Sequence, residues 1–390
     1  MNHFQEDLQA IFEEMVGWRR YLHQNPELSY HEYQTAEFVA NHLRSWDIEV
    51  RTGVGGNGVV GFLRGGGEGP TVALRADMDA LPIQDEKKSC AYASTKDGIM
   101  HACGHDAHTS TLLGIAKVAS QHRAELKGNL VFLFQHAEEI SPGGADSMIK
   151  AGALDGVDAV FGVHLWTPFP VGHVYTRAGA FMAAPDEFTI RIQGKGGHGG
   201  LPHQTIDSVY VASQVVVNLQ SIVSRQVDPV EPCVVSIGSF HGGSSFNVIA
   251  ESSVLNGTVR TFNPELRQDV KARIERIVEA TAEMSQATFE LNYKFGYPTV
   301  INDAGEAERF YKVGSALFGA ESVHESPLIM AGEDFSYYLQ ERPGCFMFVG
   351  AGNVENGIIY PHHHPKFDID ERSMLNAAKL LIGMALDYMA

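Results

Sequence analysis

Residues 71–77, TVALRAD, form a short apolar run that ends in charged side chains. Such a run, bounded by turn residues, is typical of a buried strand. VVGFLR (59–64) predicts a second strand, and the intervening GGGEGP predicts a turn. A helix is expected from about Asp106, and NLVFLFQ (129–135) predicts the next strand. The region around TVALRAD therefore alternates between strands and helices.

The alternation continues with a helix expected near 144–151 and a strand near 159–163. This pattern predicts an α/β fold with a mostly parallel sheet covered by helices on both faces. In such sheets, ligands bind beyond the carboxyl ends of the strands. Polar side chains follow three of the predicted strands, namely Asp77 and Asp79, then His136, Glu138 and Glu139, then His164.

The pattern changes between residues 183 and 297. EFTIRIQG, a helix over 205–223, CVVSIGSF, VLNGTVRTF, a second helix and TFELNYKF give a β-α-β-β-α-β order, as in ferredoxin-like domains. Asn263 and Pro264 predict the start of the second helix. We predict a discontinuous catalytic domain (1–182 and 298–390) interrupted by an inserted α+β domain (183–297). The free face and edges of a small sheet suggest a homodimer, or a higher homo-oligomer, through the inserted domain.

Composition excludes several classes of function. The net charge is −18 and no basic patch occurs, which opposes binding to nucleic acid or to anionic membranes. No apolar run approaches the ~20 residues of a membrane span, and the acidic N-terminal segment does not resemble a secretion signal. The cysteines form no CxxC pair, so we expect a cytoplasmic protein without a disulfide framework. They are Cys90, Cys103, Cys233 and Cys345.

The stretch HACGHDAH (101–108) places Cys103 and His105 two residues apart, just before a predicted helix. A loop supported by a helix can hold two ligands on one ion, although a buried cysteine and a structural histidine explain the stretch equally well. In QHAEE, Glu138 and Glu139 would point to opposite sides of an extended chain. One carboxylate could then bind metal while the other takes a proton from water; a solvated acidic loop is the alternative.

Further histidines could complete a metal site. They are His164 in GVHLW and the triplet His362, His363 and His364 in YPHHHPKFDID. Cysteine, histidine and carboxylate together favour zinc, with manganese, cobalt and nickel also open, whereas calcium and magnesium fit poorly. Five candidate ligands exceed the number that one tetrahedral ion takes, so we expect two divalent ions with one shared ligand.

Several motifs together resemble the M20 metallopeptidase family, in its branch of aminoacylases, hippurate hydrolases and auxin-conjugate hydrolases. They occur in family order over nearly the whole chain: LHQNPELSYHE, LRADMDALPIQ, MHACGHDAH, the AEE pair, GVHLW, GKGGHGGLPH, AGEDFSYY and HHHPKFDID. The resemblance implies an amidohydrolase that cleaves N-acylated amino acids. A dipeptidase or carboxypeptidase on the same scaffold and a non-catalytic metal-binding relative are the alternatives.

The resemblance also implies roles for individual residues. The metal ligands would be Cys103, His105, Glu139, His164 and His363, the last by the pattern HxPxF, with His362 and His364 left open. Glu138 would be the general base and then the proton donor to the leaving amine. His198 would stabilise the oxyanion, reaching into the partner subunit's site.

The remaining implied roles are supporting ones. Asp79 and Glu333 would orient ligands, and Asn247 and Arg260 would bind the substrate's carboxylate. His136 departs from the branch, which has proline at this position of Q-P-A-E-E. This histidine could adjust specificity, bind metal, or lie at the surface or behind the ligands.

Overall fold

The computed structural model describes residues 2–87 and 89–390. Its helices are α1 (Asn2–Ala10), α2 (Phe12–Gln24), α3 (Tyr33–Ser45), α4 (His105–Gln121), α5 (Ala145–Lys150), α6 (Ser208–Ser221), α7 (Pro264–Met284), α8 (Ala304–Phe318), α9 (Ser336–Glu341) and α10 (Arg372–Tyr388). Its strands are β1 (Glu49–Val54), β2 (Gly58–Arg64), β3 (Gly67–Asp77), β4 (Lys127–Gln135), β5 (Ala159–Pro170), β6 (Val174–Thr176), β7 (Gly179–Met182), β8 (Ala184–Gln193), β9 (Gly197–His198), β10 (Cys233–Gly242), β11 (Val248–Ile249), β12 (Ser252–Thr261), β13 (Thr288–Lys294), β14 (Val300–Asn302), β15 (Val323–Glu325) and β16 (Gly344–Gly352). Within these residues no helix has both the length and the apolar character needed to cross a bilayer.

The chain divides into two compact units. The first contains the residues up to Phe181 together with Val300–Pro327 and Asp334–Ala390, and the second contains Met182–Thr299 together with Leu328–Glu333. The sequence pattern assigns 328–333 to the first domain, whereas the structure groups this segment with the second unit. Backbone hydrogen bonding explains the difference, because the Ala183 amide donates to the Ile329 carbonyl at 3.0 Å.

The first unit is built on a sheet with the strand order β1-β2-β4-β3-β5-β16-β6-β15. Its four central strands, from β4 to β16, are parallel neighbours, and antiparallel pairs occur towards both edges. The apolar faces of α4 and α10 contribute to the same buried core as these strands. The predicted α/β class with a mostly parallel sheet is confirmed.

Three details of the strands differ from the sequence predictions. Strand β3 begins at Gly67, inside the predicted turn, because Gly67 pairs with Lys127 of β4. Strand β5 continues to Pro170, so His164 lies within the strand, opposite Phe348 of β16, rather than after it. Strand β4 ends at Gln135, and Ala137 has a φ of 52°, so the chain at the two glutamates is not extended.

The second unit has an antiparallel sheet with the order β10-β12-β8-β13. Helices α6 and α7 contribute to its core, in agreement with the predicted β-α-β-β-α-β order. The side chain of Asn263 caps α7 by accepting hydrogen bonds from the amides of Glu265 and Leu266, as predicted. This unit has a core of its own, distinct from the core of the first unit.

Candidate active site

A glycine separates the first two candidate ligands at the start of α4. Gly104 is the N-cap of this helix and has a φ of 93°, a backbone conformation that glycine adopts without a side-chain clash. The turn brings Cys103 and His105 together with Glu139, which follows β4. One ligand atom from each of these three residues lies within 4.8 Å of the other two. We call Cys103, His105 and Glu139 the first ligand cluster.

The first ligand cluster contains two buried polar atoms that suit a cation. His105 Nδ1 donates to the backbone carbonyl of Asp79 at 2.9 Å, which leaves the lone pair of Nε2 free for a metal. His105 Nε2 and Glu139 Oε1 lie 3.8 Å apart, and neither has a hydrogen-bond partner among residues 2–87 and 89–390. Two buried acceptors in this position are costly unless a second proton on the ring or a metal ion lies between them. The donor set therefore fits a divalent metal.

A second ligand cluster consists of Cys103, His164 and His362, whose ligand atoms also lie within 4.8 Å of one another. Cys103 Sγ is 3.4 Å from His164 Nε2. His164 Nδ1 donates to the Leu165 carbonyl at 2.9 Å, so Nε2 again presents its lone pair. Cys103 belongs to both clusters, so it would be the shared ligand if each cluster held an ion.

The three histidines of the triplet have different surroundings. His363 Nε2 lies 3.4 Å from Glu139 Oε2, next to the first ligand cluster, and its side chain is 53% exposed. His362 belongs to the second ligand cluster, although its Nε2 accepts a hydrogen bond from the Thr167 amide at 3.3 Å. The His364 ring stacks on Tyr360. The structure thus brings both His362 and His363 to the candidate centre, one to each cluster.

The electrostatics of the first ligand cluster favour a bound cation. Burial disfavours the charged form of His105, but the carboxylates of Asp77, Asp79 and Glu139 outweigh it and raise the pKa of His105 to about 10. Burial, reinforced by Glu139 and Glu138, raises the pKa of the Cys103 thiol well above its ordinary value. Excess negative charge of this kind attracts a divalent ion, which in turn stabilises a thiolate.

Asp79 connects two candidate ligands. Its Oδ2 accepts hydrogen bonds from the Ser29 hydroxyl at 2.7 Å and from the Glu139 amide at 3.0 Å. Its Oδ1 lies 3.2 Å from His105 Nδ1. One buried carboxylate therefore contacts both the ring of His105 and the backbone of Glu139.

His108 is a buried residue near the centre, and the sequence motifs predict no role for it. Its Nδ1 contacts Asp77 Oδ1 at 2.7 Å, and its Nε2 accepts a hydrogen bond from the Leu165 amide at 2.9 Å. Because both ring nitrogens are used, His108 supports the backbone beside His164 rather than offering a ligand atom. The sequence spacing could have indicated that His108 lies near the centre, since His105 and His108 are three residues apart and share one face of α4.

A second buried network supports the other side of Asp77. Arg75 forms ion pairs with Asp77 at 2.6 Å and with Asp334 at 2.8 Å, and Gln135 bonds both Arg75 and Asp334. The AGEDF motif therefore contacts these strands through Asp334. Glu333, for which we predicted an orienting role, is also buried but belongs to the segment of the second unit.

Arg19 holds the first turn of α4 in place. This fully buried side chain of α2 bonds Asp106 at 3.0 Å, Asp368 at 2.6 Å and Glu371 at 3.0 Å. Burial alone would raise the pKa of Asp368, but Arg19 and Lys87 lower it to about 2. The guanidinium thus ties the helix that begins at His105 to the chain that follows the histidine triplet.

Glu138, the predicted general base, is 7% exposed and precedes the first-cluster residue Glu139. The loop that carries the two glutamates is anchored by Glu32, whose Oε1 accepts a hydrogen bond from the Ala137 amide at 2.8 Å. His136 lies in the same loop and is buried rather than at the surface. Its ring packs against Gly56, where a Cβ would lie 2.6 Å from His136 Nε2.

The second unit contains the other predicted residues. His198 pairs with Val248 across the β9–β11 ladder, and its Nδ1 accepts a hydrogen bond from the Gly200 amide at 3.0 Å. A neutral His198 therefore carries its proton on Nε2, as a hydrogen-bond donor. The Asn247 carbonyl accepts from the Gly199 amide at 2.8 Å, which places Asn247 beside His198 on one exposed loop structure.

Arg260 occupies β12 of the second unit and is half-buried. Its Nε donates to the Met330 carbonyl at 3.1 Å, and its Nη1 donates to the Thr258 hydroxyl and to the Val259 carbonyl. Arg260 thus uses these donors for hydrogen bonds within the second unit. The structure places Asn247, but not Arg260, next to His198 in this way.

The chain matches the model of peptidase family M20/M25/M40 over residues 73–387. It is 48% identical to the N-acyl-L-amino acid amidohydrolase of Geobacillus stearothermophilus, covering 77% of this chain and 82% of that protein. It is 41% identical to thermostable carboxypeptidase 2 of Saccharolobus solfataricus, covering 94% and 93%. The crystal structure of Bacillus subtilis YxeP, described as a dinuclear metal binding peptidase, matches with a TM-score of 0.84 at 35% identity, covering 98% and 99%. The protein therefore belongs to peptidase family M20/M25/M40, in its amidohydrolase branch, and is a hydrolase of amide bonds.

Proposed function

We propose that this protein is a metal-dependent amidohydrolase that releases the amino acid from N-acylated amino acids, such as N-acetyl or N-benzoyl derivatives. The observation that carries the proposal is the position of Cys103 in both ligand clusters, with the buried Glu138 next in sequence to the first-cluster residue Glu139. The similarity to the Geobacillus N-acyl-L-amino acid amidohydrolase supports the substrate class.

Two divalent ions, of zinc, manganese, cobalt or nickel, would be held by Cys103, His105, Glu139, His164 and His363. His105 Nε2 and Glu139 Oε1, which have no hydrogen-bond partner among the described residues, support this assignment. When bound, such ions lower the pKa of water towards ~7 and polarise a carbonyl oxygen.

In the proposed mechanism the chain's own residues move the proton. Glu138 accepts the proton of the attacking water at its carboxylate and then gives it to the nitrogen of the leaving amine. His198, with its proton on Nε2, donates a hydrogen bond to the developing oxyanion. Asn247 lies beside His198 and contributes to binding the substrate's carboxylate, a role that Arg260 shares if its present partners release it.

Glu138→Gln tests the mechanism. The amide has the shape of the carboxylate but cannot accept the proton, so we expect turnover to fall by at least about 10²-fold, within the range of general-base effects. Metal content, measured by elemental analysis, should stay at the wild-type level. The matched variant Glu139→Gln removes a ligand and should lose metal. If Glu138→Gln kept most of its activity, the assigned base would be wrong.

A carboxypeptidase is the second candidate, because the chain is also 41% identical to the thermostable carboxypeptidase of Saccharolobus solfataricus. The two candidates differ in whether an acyl-blocked amine is preferred. Release of free amine from N-acetyl, N-benzoyl and indoleacetyl amino acids should be compared with release from unblocked dipeptides. Preferential hydrolysis of the blocked compounds is expected, and turnover of free peptides alone would favour the carboxypeptidase.

We further propose that the protein is a cytosolic homodimer whose second units associate. A reducing compartment would keep the four cysteine thiols in the free form that the structure has. On α6, Tyr210 and Val217 are 58% and 65% exposed and lie seven residues apart on one face. If His198 acts in the partner subunit's site, mixing His198→Ala with Glu138→Ala protein should restore activity, and a lack of rescue would argue against shared sites.

A further inference from the structure

A cluster of histidines and carboxylates lies at the C-terminal end of α4, away from the ligand clusters at its N-terminal end. His122 is the C-cap of α4, and Glu125 follows in a short 3₁₀ turn. His3 and Asp7 are four residues apart on α1, so they share one face of that helix. The two ends of α4 are about 25 Å apart at 1.5 Å per residue, so this cluster is separate from the candidate active site.

The contacts within the cluster are short. His3 Nε2 lies 2.9 Å from Glu125 Oε2, and His122 Nδ1 lies 3.0 Å from Glu125 Oε1. One ligand atom from each of His3, His122 and Glu125 lies within 4.8 Å of the other two. Asp7 is outside this trio and instead contacts the other ring nitrogen of His122, with Oδ2 2.6 Å from Nε2.

The hydrogen bonds of His122 are matched only when its ring is protonated, and contacts with Asp7 and Glu125 do raise its pKa. A metal ion at Nδ1 would take the place of that second proton. When the ring is neutral and Nε2–H donates a hydrogen bond to Asp7, the lone pair of Nδ1 faces a carboxylate oxygen of Glu125. Both of these atoms are then hydrogen-bond acceptors. His3 Nε2 is inaccessible to solvent and has no hydrogen bond within the described part of the chain, despite its approach to Glu125. A cation at the centre of the trio would satisfy all three groups.

We propose that His3, His122 and Glu125 form a second, separate site for a divalent transition metal, with zinc as the best match. Two imidazoles and one carboxylate, completed by water, are a set of ligands that zinc takes in proteins. Asp7 orients His122 through the opposite ring nitrogen, as carboxylates commonly do behind a metal-bound histidine. The bound ion joins α1 to the end of α4, and the site does not depend on the proposed reaction.

Zinc binding by untagged full-length protein tests the proposal. We expect wild-type protein, titrated calorimetrically after the active centre is saturated, to bind one more zinc per chain than His122→Asn or Glu125→Gln protein. Asp7→Asn should retain the site with an affinity about 10- to 100-fold lower. Amide hydrolysis should be unchanged in all three variants.

His42→Asn is the matched control. His42 is also a half-buried helical histidine, but its Nδ1 bonds the Phe38 carbonyl instead of a carboxylate. This variant should bind as much zinc as the wild type. If the wild type, His122→Asn and Glu125→Gln bound the same number of zinc ions per chain, the proposal would be overturned. The positive charge of the cluster would then be that of a protonated His122. The proposal would also be overturned if His42→Asn lost as much zinc as His122→Asn and Glu125→Gln.

Discussion

The two ends of α4 carry similar residues in opposite environments. At the N-terminal end, His105 and the neighbouring Cys103 are buried. His105 Nε2 faces a carboxylate oxygen of Glu139 and has no hydrogen bond within the part of the chain that the structure describes. At the C-terminal end, His122 is only half-buried and contacts carboxylates through both ring nitrogens. Burial, rather than the type of residue, therefore decides how strongly each group of ligands requires a cation, since water reaches the side chains of His122 and Glu125 but not those of Cys103 and His105.

Removal of the shared ligand should have the largest effect. Cys103→Ala takes one donor from both ligand clusters, so we expect both metal positions to weaken together. Activity should fall by more than the ~10- to 100-fold typical of residues behind the ligands. Metal content per chain and turnover of an N-acyl amino acid would be measured with Cys90→Ala, a half-buried cysteine outside both clusters, as control. Full metal retention would show that Cys103 is not a bridging ligand.

Loss of the buried carboxylate behind the ligands should have an intermediate effect. Asp79→Asn keeps the size of the side chain but weakens its contacts with His105 and with the Glu139 amide. We expect metal affinity or activity to fall about 10- to 100-fold. Asp146→Asn, at an exposed ion pair of α5, is the matched control and should have no effect. An unchanged metal affinity in Asp79→Asn would mean that the ligands are positioned without it.

His108→Ala should affect stability and backbone position more than ligand number. The substitution leaves Asp77 and the Leu165 amide without their partner in a buried region, which costs about 1–3 kcal/mol of the free energy of unfolding. Denaturant unfolding of the metal-free protein measures this loss. His31→Ala, at an exposed position, should be neutral. A loss of one metal equivalent with unchanged stability would instead make His108 a ligand.

The pH dependence of stability should show the smallest effect. Because the pKa of Asp368 is lowered to about 2 in the folded protein, its ion pair with Arg19 stabilises the fold fully above the unfolded value of about 3.9. This contribution is lost as the pH falls from about 4 to about 2. Unfolding of metal-free Asp368→Asn should therefore depend less on pH in this range than unfolding of the wild type. If the free energy of unfolding depended on pH equally in the wild type and in Asp368→Asn, the ion pair of Asp368 with Arg19 would not contribute to stability.

Local patterns sufficed to predict much of the fold. The apolar runs around β3, β4 and β5 and the cap at Asn263 depend on neighbours in sequence, so their elements were recognised. The local sequence does not predict the full length of β5, because this length depends on pairing with β16, more than 180 residues later in the chain. Strand ends that are set by long-range pairing leave little trace in the local sequence.

The candidate site shows the same division. The first ligand cluster follows from motifs that the sequence displays, and the structure brings its residues together. The network of Arg19, Asp106 and Asp368 was missed, because its members lie up to 349 residues apart and each resembles an ordinary surface charge. His362 belongs to the second ligand cluster, and sequence spacing does not predict this because its position depends on a hydrogen bond from the Thr167 amide of β5.

The order of the strands has a consequence for synthesis. Strand β16 lies between β5 and β6 at the centre of the larger sheet, although it comes from residues 344–352. During translation the long segment Met182–Thr299, with its own core, emerges complete before β16 exists. The smaller unit can therefore begin folding on the ribosome, whereas the larger sheet cannot be completed before residues 344–352 have been synthesised. The histidine triplet follows β16 in the chain, so the candidate site cannot assemble before residues 362–364 have been synthesised.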